Sequence, residues 1–89
     1  MRTKNAKPIS AAESKHLAWV KSQPCVVCDA PAPSDAHHII QGDHFTCLPL
    51  CKDCHVGSHN GIHGRKSMWN VMKKTELSCL NDTIRRLAA

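Results

Sequence analysis

The 89-residue sequence predicts a small α+β domain in which an N-terminal and a C-terminal helix flank a metal-stapled β-hairpin. Three observations point there. Two Cys-x-x-Cys pairs, Cys25/Cys28 and Cys51/Cys54, bracket a stretch with strand and turn signals. A helix-start signature precedes the first pair, and a helical apolar pattern follows the second. Finally, a chain of this length fills one domain whose core alone is marginal, so a staple is expected.

Residues 1–9 are polar, basic and interrupted by Pro8, which predicts a flexible basic arm ahead of a single domain over residues 10–89. Ser10-Ala11-Ala12-Glu13 is a capping box, in which the serine oxygen and the glutamate three residues on satisfy each other's free amides. A helix should follow from Ala11 to Lys21, turning Leu17, Val20 and Trp19 to the core, with Pro24 after it as a stop. Cys25-Val26-Val27-Cys28 makes a knuckle, Ala36 to Ile40 a short strand, Gln41-Gly42-Asp43 a turn, and Phe45 to Leu50 the return strand. Pro49 marks that strand's end as an edge or bulge, since proline donates nothing to a ladder. Cys51-Lys52-Asp53-Cys54-His55 is the second knuckle, and the three glycines between Val56 and Gly64 predict a loop or broken helix. The last element, Lys66 to Leu87, carries Leu77, Leu80, Ile84 and Leu87 at helical spacing, an apolar stripe expected to face the core. Whether Lys66 to Thr75 is continuous with it or forms a separate short helix is open at this point.

Twelve Lys and Arg against seven Asp and Glu give a formal charge of +5, which favours a polyanionic partner such as DNA. No apolar run approaches the ~18 residues that span a bilayer, and no signal-peptide core follows Met1, so the expectation is a cytoplasmic protein without a membrane partner. In that reducing compartment cysteines stay free to bind a metal. Nothing in the sequence fixes the oligomeric state.

Cys25, Cys28, Cys51 and Cys54 are four soft ligands with the spacing of a tetrahedral structural Zn²⁺ site, and closing it would lock the hairpin between the knuckles. A redox dithiol would explain one pair and leave the other idle. Cys79 reads as buried packing, and Cys47 as a substitute ligand disfavoured by the knuckle spacing. Trp19 and Trp69 read as core or interface aromatics, too far apart in sequence for an interleaved stacking pattern.

Seven histidines are present, and His37, His38, His44, His55, His59 and His63 crowd between and just after the knuckles, which predicts a second polar site. Neighbouring residues on a strand point to opposite faces, so His37 and His38 divide the labour: one suits a divalent ion, the other a general base near its working pKa.

The run Cys25-x-x-Cys28, Ala36-His37-His38-Ile39-Ile40, Leu48-Pro49-Leu50-Cys51-x-x-Cys54-His55 and Gly61-Ile62-His63-Gly64 resembles the HNH, or ββα-metal, nucleases with zinc knuckles. Within that superfamily it is most similar to the phage and prophage recombination-enhancement nucleases, whose activity on DNA is associated with a recombinase filament. The resemblance implies a zinc-stapled ββα-metal core and a phage- or prophage-encoded DNA endonuclease working in the bacterial host cell. It further implies that His37 and His55 bind a catalytic divalent ion (Mg²⁺, Mn²⁺ or Zn²⁺) and that His38 is the general base. For the distal ligand both His59 and His63 are available; Gly57, Asn60 and Gly61 oppose the regular helix His59 would need, so His63 is preferred. One departure stands out. The family's middle asparagine has no counterpart, since His44, Phe45 and Thr46 occupy its region, leaving Thr46 or His44 to brace the catalytic loop. That departure supports the competing reading, a catalytically degenerate zinc-stabilised DNA-binding or adaptor module.

Overall fold

The computed structural model describes residues 8–89, so the arm expected over residues 1–9 lies outside the described residues except for the exposed Pro8 and Ile9. Six elements follow in order: α1 (Ala11–Lys21), β1 (Asp35–His38), β2 (Cys47–Leu50), α2 (Lys52–Val56), α3 (Ser67–Val71) and α4 (Glu76–Ala88). The fold is small α+β, with a two-stranded antiparallel sheet as its only sheet among the described residues.

Helix α1 begins where its capping box places it: Ser10 Oγ accepts from the Glu13 amide at 3.1 Å and Glu13 Oε1 from the Ser10 amide at 2.9 Å. Val20 is its buried residue, with Leu17 and Trp19 half-buried, and the helix lies across both strands.

The strands are shorter than the sequence suggested. Pairing couples Asp35 with Leu50, Ala36 with Pro49, His37 with Leu48 and His38 with Cys47. Beyond them Ile39 still donates to Thr46 O at 3.1 Å, but Ile40 and Phe45 turn out into solvent. Antiparallel pairs alternate between bonded and non-bonded, which puts Pro49 in a non-bonded pair where a missing N–H costs the ladder nothing. Pro49 O, facing away from β1, accepts from the Val26 amide at 2.9 Å, so the first knuckle docks on the open edge of β2.

All four β2 residues are buried, and Leu48 and Leu50 join Val26, Val27, Cys25, Cys54, Cys79 and Trp69 in the core. Trp69 is held by its indole N–H, which donates to Cys54 O at 2.9 Å.

Lys66 to Thr75 is a separate element. After α3 the chain passes through Lys73 at φ 56°, with the Lys74 amide donating to Trp69 O at 2.8 Å and the Lys73 amide to Asn70 O at 3.1 Å. That Schellman arrangement stops α3, and Thr75 and Ser78 then form a fresh capping box for α4.

Helix α4 presents a different face from the one its leucines mark. Cys79 and Thr83 are buried and Leu80 is partly so, whereas Leu77, Ile84 and Leu87 are 73%, 42% and 49% exposed. The reason is close approach to β2, which small residues permit and bulky ones do not. Thr83 Oγ1 satisfies itself on Cys79 O at 2.8 Å, and Arg86 donates to Pro24 O at 2.8 Å, pinning the helix end to the first knuckle.

Candidate functional site

Two clusters of metal-ligating atoms flank the hairpin. In the first, the sulfurs of Cys25, Cys28, Cys51 and Cys54 all lie within 4.8 Å of one another. The first knuckle reaches this point through its tie to β2, and the second because Cys51 is both the residue after β2 and the N-cap of α2, its sulfur accepting from the Cys54 amide at 3.4 Å. Cys28 and Cys51 approach to 3.6 Å. Burial, aided by the hydrogen bond with Cys51, pushes the Cys28 thiol up to about 11; burial and the nearby Cys25 sulfur likewise raise Cys54. Burial works against the Cys25 thiolate too, but the main-chain amides of Cys28, Cys51 and Val27 outweigh it and lower its pKa. Four sulfurs packed this closely suit a soft divalent cation, whose charge would partly offset that of four thiolates. Cys47 and Cys79 are buried elsewhere, each pushed up to about 11 by burial, and stand outside the cluster.

The second cluster joins His37, His55 and His63, whose ligating nitrogens also lie within 4.8 Å of one another, with ring centroids 5.2 to 5.3 Å apart. Each comes from a different segment. His37 points inward from β1 and is 7% exposed; His55 is half-buried on α2; His63 is exposed on the loop beyond. That loop folds back because Ile62 donates to Cys54 O at 2.8 Å and His63 to His55 O at 3.4 Å. Its tightness requires glycine: a Cβ on Gly61 would lie 2.4 Å from Gly57 O, and one on Gly64 2.5 Å from Ser58 O. His59 is exposed and outside the cluster.

Two carboxylates stand behind these rings, neither of them singled out by the sequence reading. Asp35 Oδ2 accepts from His55 Nδ1 at 3.0 Å, and Glu76 Oε2, on the first residue of α4, from His37 Nε2 at 2.8 Å. The hydrogen bond from His55 is the main cause holding the Asp35 carboxyl below its usual range, with Lys52 at 3.2 Å adding to it. The period-two geometry of β1 could have found Asp35, two residues from His37 on the same face. No local signal leads from residue 37 to residue 76. Three imidazoles with carboxylates behind them form a donor set suited to a divalent transition metal, and the exposed side at His63 leaves the site open.

His38 lies on the opposite face of β1. Its Nε2 is 2.9 Å from His44 Nδ1 across a T-shaped ring pair 5.1 Å apart. Burial, then the neighbouring His44 and His37, lower its pKa below 6.5 and so favour the neutral, basic ring. Of the two residues available as a brace, Thr46 turns back on Asp43 O at 3.0 Å, while His44 makes the contact with His38. Trp69 is core, as the sequence suggested; Trp19 is half-buried and stacks on His16, which also meets the exposed Phe45. No described helix is long and apolar enough to cross a membrane.

Among known proteins, the uncharacterized protein YdfU of Escherichia coli (strain K12) is 40% identical over 60 residues. The match covers 57% of this chain and 16% of that relative, so the chain spans about one sixth of the relative's length. No solved structure matches the chain. The model of the family described as a protein of unknown function, DUF968, matches residues 2–86, nearly the whole sequence, and the chain belongs to that family.

Proposed function

We propose that this chain is a metal-dependent DNA endonuclease of the HNH, ββα-metal type, stapled by Zn²⁺ at Cys25, Cys28, Cys51 and Cys54. One observation carries the reading. A hairpin, the short helix directly after it and the loop beyond gather His37, His55 and His63 into one open three-imidazole cluster.

A divalent ion at the three imidazoles would supply charge stabilisation for a scissile phosphate and its leaving oxygen. The residues supply the remainder. His37, fixed by burial and by Glu76, and His55, fixed by Asp35, keep their rings aimed without reorganisation. His38 accepts the proton of an attacking water, and its Nε2 contact with His44 holds the ring in one orientation and takes the role the family gives to asparagine. The formal +5 charge favours a DNA backbone through contacts that position rather than read sequence. In the setting the resemblance implies, a recombinase filament delivers that DNA.

The test is incubation of the full chain with supercoiled and single-stranded DNA in Mg²⁺ or Mn²⁺, with and without recombinase filament, beside His38→Ala. Metal-dependent nicking is expected to fall about 10²- to 10⁴-fold in the variant while ion binding persists. Because the His38 pKa is lowered, the neutral base is lost only as pH falls through that depressed value, so the acid limb of the rate profile is expected below pH 6.5. Tight DNA binding without cleavage under any of these conditions would replace this reading with the adaptor module.

A further inference from the structure

Resting on the three-histidine centre of that reading, we propose that Glu76 is a positioning residue for it: Glu76 holds His37 through Nε2–H, leaves Nδ1 as the nitrogen offered to the cation, and so makes α4 part of the site. Glu76 lies 39 positions beyond His37 and belongs to no histidine or cysteine motif. An ionised carboxylate only accepts hydrogen bonds, so at 2.8 Å it requires the proton on Nε2, and in a neutral imidazole the free lone pair is then on Nδ1.

The same logic operates in mirror form on His55. Asp35 takes Nδ1–H at 3.0 Å and leaves Nε2 free. Two ligands from two elements are thus each backed by a carboxylate, the arrangement by which proteins fix ring orientation and raise ligand basicity. Glu76 opens α4, and the capping box of Thr75 and Ser78 fixes that turn and with it the place of the carboxylate. The His37 side chain is 8% exposed and that of Glu76 37%, so the bond is shielded on the histidine side and reached from the end of the helix.

The experiment uses the full chain, ¹⁵N-labelled at histidine, first loaded with one equivalent of Zn²⁺ and then titrated with a second. Long-range ¹H–¹⁵N correlation spectra report which ring nitrogen is protonated and which is bound. The expected result is His37 bound through Nδ1 with Nε2 protonated, and His55 bound through Nε2. By calorimetry, Glu76→Ala is expected to weaken the second Zn²⁺ about 10- to 100-fold, and Glu76→Gln less, with the first Zn²⁺ and the circular dichroism unchanged. His37 bound through Nε2, or second-site affinity in Glu76→Ala equal to that of the parent, overturns the proposal. The tautomer measurement on the parent decides the matter even if the alanine variant folds poorly. Zinc bound with the expected tautomers but no DNA cleavage overturns the nuclease reading and leaves this one standing.

Discussion

The sulfurs of Cys25, Cys28, Cys51 and Cys54 sit where the core closes around them, with Cys25 and Cys54 fully buried, while the imidazoles of His37, His55 and His63 grade from buried through half-buried to exposed. The four-sulfur cluster is the more enclosed of the two, with Cys28 and Cys51 half-buried at its outer side. Three imidazoles and an exposed edge would leave an ion bound there a coordination position for something else. The two are adjacent in sequence, since Cys54 and His55 are consecutive on α2, yet Cys54 is fully buried and His55 only half-buried. An element of five residues thus supplies a ligating atom to each cluster.

The largest effect should come from breaking the staple. If the four-cysteine cluster holds the proposed Zn²⁺, Cys54→Ser removes a buried ligand, and because structural zinc sites contribute roughly 10–16 kcal/mol of apparent binding energy to small folds, the variant should lose cooperative thermal unfolding by circular dichroism. His63→Ala, on the exposed edge of the other centre, should melt like the parent and lose only its second ion. Equal unfolding of both variants would erase the distinction between the centres.

A smaller effect is expected where the staple meets the core. Trp69→Phe keeps most of the ring but removes one of the two donors to Cys54 O, which retains the Ile62 amide; urea denaturation should show a loss of about 0.5–1.5 kcal/mol. The smallest belongs to α4. Leu77→Ser, at a 73% exposed position, should change stability by less than about 0.5 kcal/mol in the same assay, whereas the apolar stripe read from sequence would make it a core deletion.

That last contrast shows where sequence reasoning reached its limit. The helical pattern of Leu77, Leu80, Ile84 and Leu87 is real, but periodicity states only that a helix has an apolar face. Which face packs depends on how near the helix axis can come to β2, and Cys79 and Thr83 allow the nearer approach. The break between α3 and α4 stays open in the sequence for a related reason. It rests on a lysine at positive φ, a conformation for which glycine or asparagine would have been the readable sign. The site fared unevenly: the histidines are visible as residue types at suggestive spacings, whereas Asp35, Glu76 and the contact of His44 with His38 are pairings.

By itself the sequence determined what short-range chemistry dictates. The capping box at Ser10 starts α1, the two Cys-x-x-Cys turns preset their sulfurs a few residues apart, and the alternation of a strand sends His37 and His38 to opposite faces. Only the tertiary structure decided what meets across the fold: the two knuckles joined through Val26 and Pro49, the loop returned over α2 to bring in His63, and α4 turned so that Glu76 reaches His37. The physical reason is range. Caps, turns and strand alternation are settled within a few bonds of each residue, while hydrogen bonds between residues 39 positions apart exist only once the core has fixed where each element lies.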